Sequence, residues 1–568
     1  MGPLSMPGSP GCYLCASTRE QWARNAVAGG AAKVWEAIAD GTVTPEPALT
    51  AAVLAIVGGL VADDLLALGT GREPRSRDAV LTVSPQGTVK RHRFLPVPDC
   101  GVCGGLPDDS PSAGQLPLVP RPKPSREVYR LRTLNQRHDE LLDRFVDERC
   151  GVISDMNLSS DGLVVSTAAR LAAPRNIRTE GYGRAGDHRT SVCVAVAEAL
   201  ERLGGVLPRS RKTVVRGSFA EFGPERAVDP VSLGLSPALP DGHGNHFVEY
   251  RPDLMQDWVY GYSFRRGGPV LVPETIAYYG LPANIVYECS NGCALGGSLE
   301  EAILYGIFEV AERDGFLMTW YARLPLPRVD PWTSADPGNL ALLSSLEHST
   351  GSRVHLFDAT MPEGVPVVVP LLVDEQDRPD HAKFCCTAGA HLDPERAMRS
   401  ALVELASCAV ELAGRTSQDR DRILEMVADS RRVTEMAHHA EVYTMPESWP
   451  RLEFLYRRSG TVSMAEAFPA GARYQPAADL SDDLHHVVRR YLAAGLDVIA
   501  VDQTTVEHRA AGLACVKVLI PGMLPMTFGH TRRRAEGMPR LHEVPVRLGY
   551  RNAPLADEEI NPYPHPFP

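Results

Sequence analysis

SNGCALGGSLEEAILYGIFEVAERD, residues 290–314, governs how the rest of this chain is read. A Ser-Asn-Gly loop runs into a segment of helical period. At about 100° per residue, Leu299, Ile303, Gly306, Ile307 and Val310 fall on one stripe. Glu301, Glu309 and Glu312 group on the opposite side, with Tyr305 between them and Arg313 next to Glu312. Neighbouring carboxylates repel one another unless something cationic joins them. Hard oxygen ligands suit Mg²⁺ and a guanidinium suits phosphate oxygens, so this face fits magnesium with a nucleotide's phosphates. A solvated acidic face is the plainer alternative, and Ser298 with Glu301 also fits an S-x-x-E capping box.

A second stretch repeats the pattern. In SVCVAVAEALERLGG, Val192, Val196, Leu200 and Leu203 form an apolar stripe. Glu198 and Glu201 sit opposite it, Arg202 follows, and Gly204-Gly205 closes the helix. Two E-x-x-E-R helices with acids turned from the core read as two walls of one site.

With these motifs in place, the chain resembles the YcaO family, specifically the azoline-forming cyclodehydratases of ribosomal peptide natural products. The resemblance runs from about Arg126 to the last residue. It rests on GYGRAG followed by EALER, the SNG-x-A-x-G loop, the EEA…E-x-x-ER helix, GAHLDPERAMRSALVE, VKVLIPGMLPMTFGHTRRR and a proline-alternating tail. It implies an α/β fold of mixed sheets and helices around an ATP site. It also implies ATP and Mg²⁺ binding by Glu198, Glu201, Arg202, Ser290, Asn291, Glu301, Glu309, Glu312 and Arg313. Glu198, Glu201, Glu309 and Glu312 are then the magnesium ligands. Val194 departs from the family pattern, which has a small polar residue four positions before the first glutamate. The resemblance also puts an arginine of Arg532, Arg533 and Arg534 near the nucleotide without choosing among them, and leaves Lys517 open.

Composition narrows the setting. A chain of 568 residues exceeds one domain of about 100–200 residues. Its net charge of -12 and lack of a basic arm argue against nucleic acid. No secretory signal is visible. The longest apolar run, residues 49–62, stops at Asp63-Asp64, is too short for a bilayer and reads as a buried helix. Twelve cysteines without an export signal suggest reduced thiols and a cytoplasmic protein.

Cys12-x-x-Cys15 and Cys100-x-x-Cys103 supply four thiolates, a set that favours tetrahedral Zn²⁺. Four sulfurs leave no open position, so such a metal is structural. A redox pair expects a thioredoxin-like context, which is missing. The module resembles the zinc-bearing terminal part of the E1-like partners of cyclodehydratases, implying that the leader-binding remainder is a separate protein. We therefore divide the chain into a zinc module (1–104), a Pro/Ser/Gly-rich linker (105–126) and an ATP-dependent domain (127–568).

Other stretches weigh less. Gly181, Gly183 and Gly186 spell G-x-G-x-x-G, but no convincing strand precedes them. There is no P-loop and no hydrolase elbow. His243 and His246 read as a polar loop, and residues 415–435 as a charged surface helix. Asp393-Pro394 marks a firm helix start. The ending NPYPHPFP is a stiff, extended rod. In the resemblance it lies at the active site, with the carboxylate of Pro568 as proton acceptor, so residues appended there should cripple turnover. The implied reaction is ATP-dependent cyclodehydration of Cys, less readily Ser or Thr, in a precursor peptide, in thiopeptide or linear azole antibiotic pathways. A YcaO enzyme forming thioamides or amidines, or a non-catalytic docking scaffold, are the alternatives. A homodimer or a heteromeric complex with the leader-binding partner fits either way.

Overall fold

The computed structural model describes residues 1–26, 50–160, 163–237, 247–378, 381–416, 419–456 and 460–568. His243 and His246 lie outside these. The N-terminal module comprises helix α1 (Tyr13–Ala26), helix α2 (Ala51–Gly69) and an antiparallel hairpin of β1 (Ala79–Val83) and β2 (Val89–Arg93). Its two Cys pairs meet at the N-terminal end of α1.

The larger body alternates strands and helices, as its glycine and proline punctuation predicts. Strands β3 (Ile153–Ser160), β4 (Val165–Leu171) and β5 (Glu180–Ala185) form an antiparallel sheet, followed by helix α3 (His188–Val206). A second sheet contains β6 (Val215–Gly217), β7 (Gln256–Ser263), β8 (Gly268–Pro273) and β9 (Cys293–Gly296). Helix α4 (Leu299–Tyr321) follows. A third sheet is built from β10 (Arg328–Asp330), β11 (Arg353–Asp358), β12 (Val367–Val373), β13 (Phe384–Cys386) and β14 (Gly389–Ala390). Helix α5 (Pro394–Thr416) packs on it, and β15 (Thr461–Ser463) completes its far edge. After helix α6 (Leu480–Ala493), β16 (Ile499–Asp502) and β17 (Ala514–Leu519) return to the second sheet in the order β6-β7-β16-β17-β9.

Helix α4 is the axis of the molecule. It touches β9 and β17 of one sheet, β12 and β14 of another, and α6. Ile303, Leu304, Ile307, Leu317 and Met318 are fully buried in the largest core cluster. VVVPLLV forms β12, buried along its whole length as a doubly covered strand should be. Pro370 sits there without breaking the ladder. Leu371 pairs with Cys386 of β13 and Val368 with Gly389 of β14, so the missing N–H falls in the gap between them.

The first five residues of GYGRAG lie in β5, so the strand carries Gly181 and Gly183 rather than preceding them. A Cβ at Gly183 would lie 1.8 Å from Ser191 O, and one at Gly181 2.2 Å from Ala199 N. These glycines let α3 lie directly on the strand.

Two expectations are corrected. The apolar run does not end at Asp63-Asp64: Thr50 caps Val53 N and α2 continues to Gly69. The carboxylate of Asp64 accepts from Arg75 N and Ser76 N, so it anchors the helix to the following turn instead of stopping it. Nor is α2 a buried helix. Val53, Asp64 and Ala67 are its buried residues, whereas Leu54, Val61, Leu65, Leu66 and Leu68 are exposed. By length and composition α2 is long and apolar enough to cross a membrane. Residues 415–435 are not one surface helix but the end of α5, a helix Arg420–Ala428 burying Ile423 and Met426, and a turn started by Asp429.

Residues 105–126 have no helix or named strand, yet they are pinned to the body. Asp109 Oδ2 accepts from Tyr260 N at 2.7 Å. Glu300 accepts from Val119 N at 2.6 Å and Arg121 Nε at 2.9 Å, and Lys123 pairs with buried Asp483 at 2.7 Å. The module is joined to the body by another buried cluster. Glu507 holds Arg19 of α1 at 2.6 Å and Arg209 at 2.8 Å, with Trp22 against both guanidiniums.

Candidate active site

The two E-x-x-E-R helices both pack on β9 and β17, and the charge of Glu309 on one acts on Glu201 of the other. Arg202 lies 2.6 Å from Glu198 Oε1, while Glu198 Oε2 accepts from Tyr182 N at 2.6 Å, fixing this carboxylate to α3 and β5. One turn away, burial pushes the Glu201 carboxyl well above the usual range, reinforced by the charges of Glu309 and Glu198. Glu309 thus reaches across from α4. One of its oxygens pairs with Arg313, and the other is buried without a hydrogen-bond partner. Glu312 is likewise pushed well above the range, by burial and then by Glu404. Val194 stands half-buried one turn before Glu198.

This donor set fits a hard divalent cation with phosphate. Buried acids that repel one another, one with an orphaned oxygen, are relieved by a metal, and Arg202 and Arg313 stand beside them.

The other residues take more varied places. Glu301 is buried and held by Arg130 Nη1 at 2.9 Å and Leu131 N at 3.0 Å, so it fixes the N-terminal end of α4 against the preceding chain. Asn291 is saturated by protein. It donates to Glu288 Oε1 and Met526 O and accepts from Arg313 Nη1 at 2.7 Å and Met526 N. Its side chain therefore aims Arg313 rather than leaving atoms free for a nucleotide. Ser290 is half-buried, and its carbonyl accepts from Cys293 N to close the loop.

Among the three consecutive arginines, Arg534 meets Glu288, the partner of Asn291, at 2.7 Å in a buried pair. Arg533 meets Asn561 O and Glu536, and Arg532 stacks over Tyr287. Lys517 is fully buried and donates to Cys289 O at 3.1 Å.

Three residues escape the motif reading. Arg130 lies 3.5 Å over the Tyr305 ring beside Glu301. Arg184 projects from β5 to Ser407 Oγ at 2.9 Å. Glu404 of α5 adds a third helix to the cleft. Arg184 and Glu404 sit inside the quoted segments GYGRAG and GAHLDPERAMRSALVE, but only the packing of α5 against β5 brings them to the acids.

The tail enters the core. Trp320 Nε1 donates to Tyr563 O, Tyr443 Oη to Pro564 O, and His565 Nε2 to Thr527 O. Phe567 packs on Phe316 of α4 with ring centroids 4.9 Å apart, and Pro568 is half-exposed. In the module, the four sulfurs of Cys12, Cys15, Cys100 and Cys103 lie within 4.8 Å of one another. A tetrahedral zinc with bonds of about 2.3 Å needs sulfurs roughly 3.8 Å apart. Pairs at 3.6 Å and 3.3 Å fit that set after small adjustment.

A family model described as YcaO cyclodehydratase, binding ATP and Mg²⁺, matches residues 182–524. This chain belongs to the YcaO family. An uncharacterised protein of Methanothermobacter thermautotrophicus is 28% identical over 334 residues, 56% of this chain and 80% of its own. A solved heterocyclase in complex with substrate and cofactor has a TM-score of 0.76 at 24% identity, over 100% of this chain and 76% of its own. YcaO from Methanopyrus kandleri, bound with AMPPCP and Mg²⁺, has a TM-score of 0.52 at 21% identity, over 74% of this chain and 100% of its own. The fold of this YcaO protein is that of the heterocyclases.

Proposed function

We propose that this YcaO protein cyclodehydrates Cys residues, and less readily Ser or Thr, of a ribosomal precursor peptide to azolines using ATP. The observation that carries the reading is the convergence of Glu201 on α3 with Glu309 on α4 across one cleft, flanked by Arg202 and Arg313. Glu198, Glu201, Glu309 and Glu312 would hold magnesium. The ion, when bound, neutralises phosphate charge and orients the γ-phosphoryl group. Arg313, aimed by Asn291, meets a phosphate oxygen. The peptide thiol gives up its proton as its sulfur bonds the preceding carbonyl carbon. The carbonyl oxygen takes the γ-phosphoryl group and ADP leaves. The C–O bond then breaks toward phosphate as the amide N–H proton is lost and the ring C=N bond forms. Positioning and charge neutralisation suffice for such chemistry, with no protein nucleophile.

Azolines are favoured over thioamides or amidines by the tail, in which His565 and Phe567 meet Phe316 of α4 one turn beyond Glu312 and Tyr563 meets Trp320 two turns beyond it, with Pro568 half-exposed at the end. The four thiols support structural zinc, and the module's exposed helix α2 offers a surface for a separate leader-binding partner. All twelve cysteines are free thiols, in keeping with a cytoplasmic protein. A docking scaffold is disfavoured because both E-x-x-E-R motifs are intact.

Incubation with a Cys-containing precursor peptide, its leader-binding partner and Mg²⁺–ATP tests the reading. The expected product has lost one water per modified residue, with matching phosphate release. Oxygen-to-sulfur exchange, or an unchanged mass, overturns it.

A further inference from the structure

The end of the chain is held by its carbonyls, one after another. Trp320 Nε1 of α4 donates to Tyr563 O at 3.0 Å and Tyr443 Oη to Pro564 O. His439 Nδ1 donates to His565 O at 3.0 Å and Cys386 Sγ of β13 to Pro566 O at 3.6 Å. All four donors are buried. Alternate prolines have no N–H to offer, so carbonyls are what such a chain can be read by. In a polyproline-type chain of three residues per turn, successive carbonyls point about 120° apart, so no single surface meets them all. Here the donors come from α4, β13, the helix Met436–Glu441 and the turn Val442–Thr444 that follows it.

His439 does more than donate. Its Nε2 accepts from Gly529 N at 2.9 Å. A carbonyl at one nitrogen and an N–H at the other leave a single tautomer, Nδ1–H with a bare Nε2. Burial and the neighbouring His565 hold this imidazole well below its usual value, so both roles persist. His565 stacks on it with ring centroids 4.1 Å apart and donates from Nε2 to Thr527 O at 2.8 Å. The tail and His439 therefore grip the same short segment, 527–529. Met526, the residue before it, meets Asn291 through both its N–H and its carbonyl, and Asn291 aims Arg313. The tail is thus placed by the stretch of chain that orients an arginine of the acid cleft.

We propose that His439 is the positioning residue of the tail. Its Nδ1–H fixes the His565 carbonyl and, with the donors of Trp320, Tyr443 and Cys386, sets where the chain ends. The inference rests on the cyclodehydration reading above, in which the tail serves the reaction. Pro568 follows the last held carbonyl by two residues, so a displaced His565 carbonyl carries the terminus with it. A misplacement of about 1 Å at a reacting centre can cost about 10²-fold in rate. The acids and arginines of the cleft stay where they are, and ATP binding with them.

The test uses the full chain, with kcat for ring formation and KM for ATP measured in wild type, His439→Ala, His439→Asn and His439→Gln. Asn puts an amide N–H near the position of Nδ1 and keeps the donor to His565 O. Gln reaches the position of Nε2 and keeps only the acceptor for Gly529 N. His439→Ala and His439→Gln should lower kcat about 10²-fold with KM for ATP within about twofold, and His439→Asn should recover to within about tenfold of wild type. A wild-type kcat in His439→Ala, equal rates for the Asn and Gln variants, or a change confined to KM for ATP overturns the assignment. Should His439→Ala not fold, Tyr443→Phe removes one hydroxyl from the same set and should lower kcat about tenfold at unchanged KM; an unchanged kcat overturns it equally. Protein labelled with ¹⁵N-histidine gives a readout independent of activity. His439 should show a slowly exchanging Nδ1–H, and an Nε2–H tautomer overturns the assignment. A wild-type enzyme that leaves the peptide mass unchanged removes the cyclodehydration reading itself, a result distinct from all of these.

Discussion

Glu201 and Glu312 both have carboxyls pushed well above the usual range, Glu201 by burial and the charges of Glu309 and Glu198, Glu312 by burial and Glu404. Linkage turns this into a stability prediction. An acid whose folded pKa is raised holds its proton more tightly when folded, so its contribution is complete below the unfolded value of about 4.3. That contribution is lost as pH rises through the folded value. Metal-free protein should therefore melt at a lower temperature as pH is raised from about 5 toward 8. Glu201→Gln should flatten the slope and raise the metal-free Tm at pH 8 while abolishing Mg²⁺–ATP binding. A melt series with and without Mg²⁺–ATP reads all three effects. Gly183 gives an independent prediction. A Cβ there meets the backbone of α3, so Gly183→Ala should cost on the order of 3 kcal/mol, measured by denaturant unfolding.

At the scale of elements, helix periodicity made the acid faces of α3 and α4 legible, because 3.6-residue spacing fixes which side chains share a face. It could not show that Glu301 and Asn291 are consumed internally. Their partners, Arg130 and Met526, lie 171 and 235 residues away in sequence. Glu404 sits inside the quoted GAHLDPERAMRSALVE, but a single carboxylate on a helix carries no local pattern, and its nearness to the acids shows only in the packing of α5 on β5. The apolar run at α2 misled for a different reason. Hydropathy reports composition, whereas burial depends on what packs against the helix, and Asp64 proved to be an anchor rather than a stop. The cysteine pairs were readable despite an 84-residue gap between Cys15 and Cys100, since soft-ligand chemistry does not depend on what intervenes. The purified protein is expected to hold one zinc per chain by elemental analysis. Cys15→Ser should lose that metal and lower Tm.

Across the whole molecule, the module and helix α4 are parts of one packed body. Arg19 of α1 and Arg209 clamp Glu507, and residues 119–123 clamp Glu300 at the first turn of α4. Removing one partner of a buried ion pair leaves a charge uncompensated, at a cost of about 3–5 kcal/mol. Glu507→Gln should accordingly destabilise the whole chain by that order, with module and body melting together in calorimetry. An early melt of the module alone would show that it is an independent appendage. The acid cleft and the tail share α4, and the four-thiol site joins the same body through Arg19 and Glu507.

Calorimetric titration of AMPPCP into the purified protein, with and without Mg²⁺, is the most direct trial of the two-helix cleft. Wild type should bind one nucleotide per chain only when Mg²⁺ is present, and Glu201→Gln and Glu309→Gln should each lose that binding while remaining folded. Nucleotide uptake that ignores Mg²⁺, or that survives both substitutions, would contradict the account.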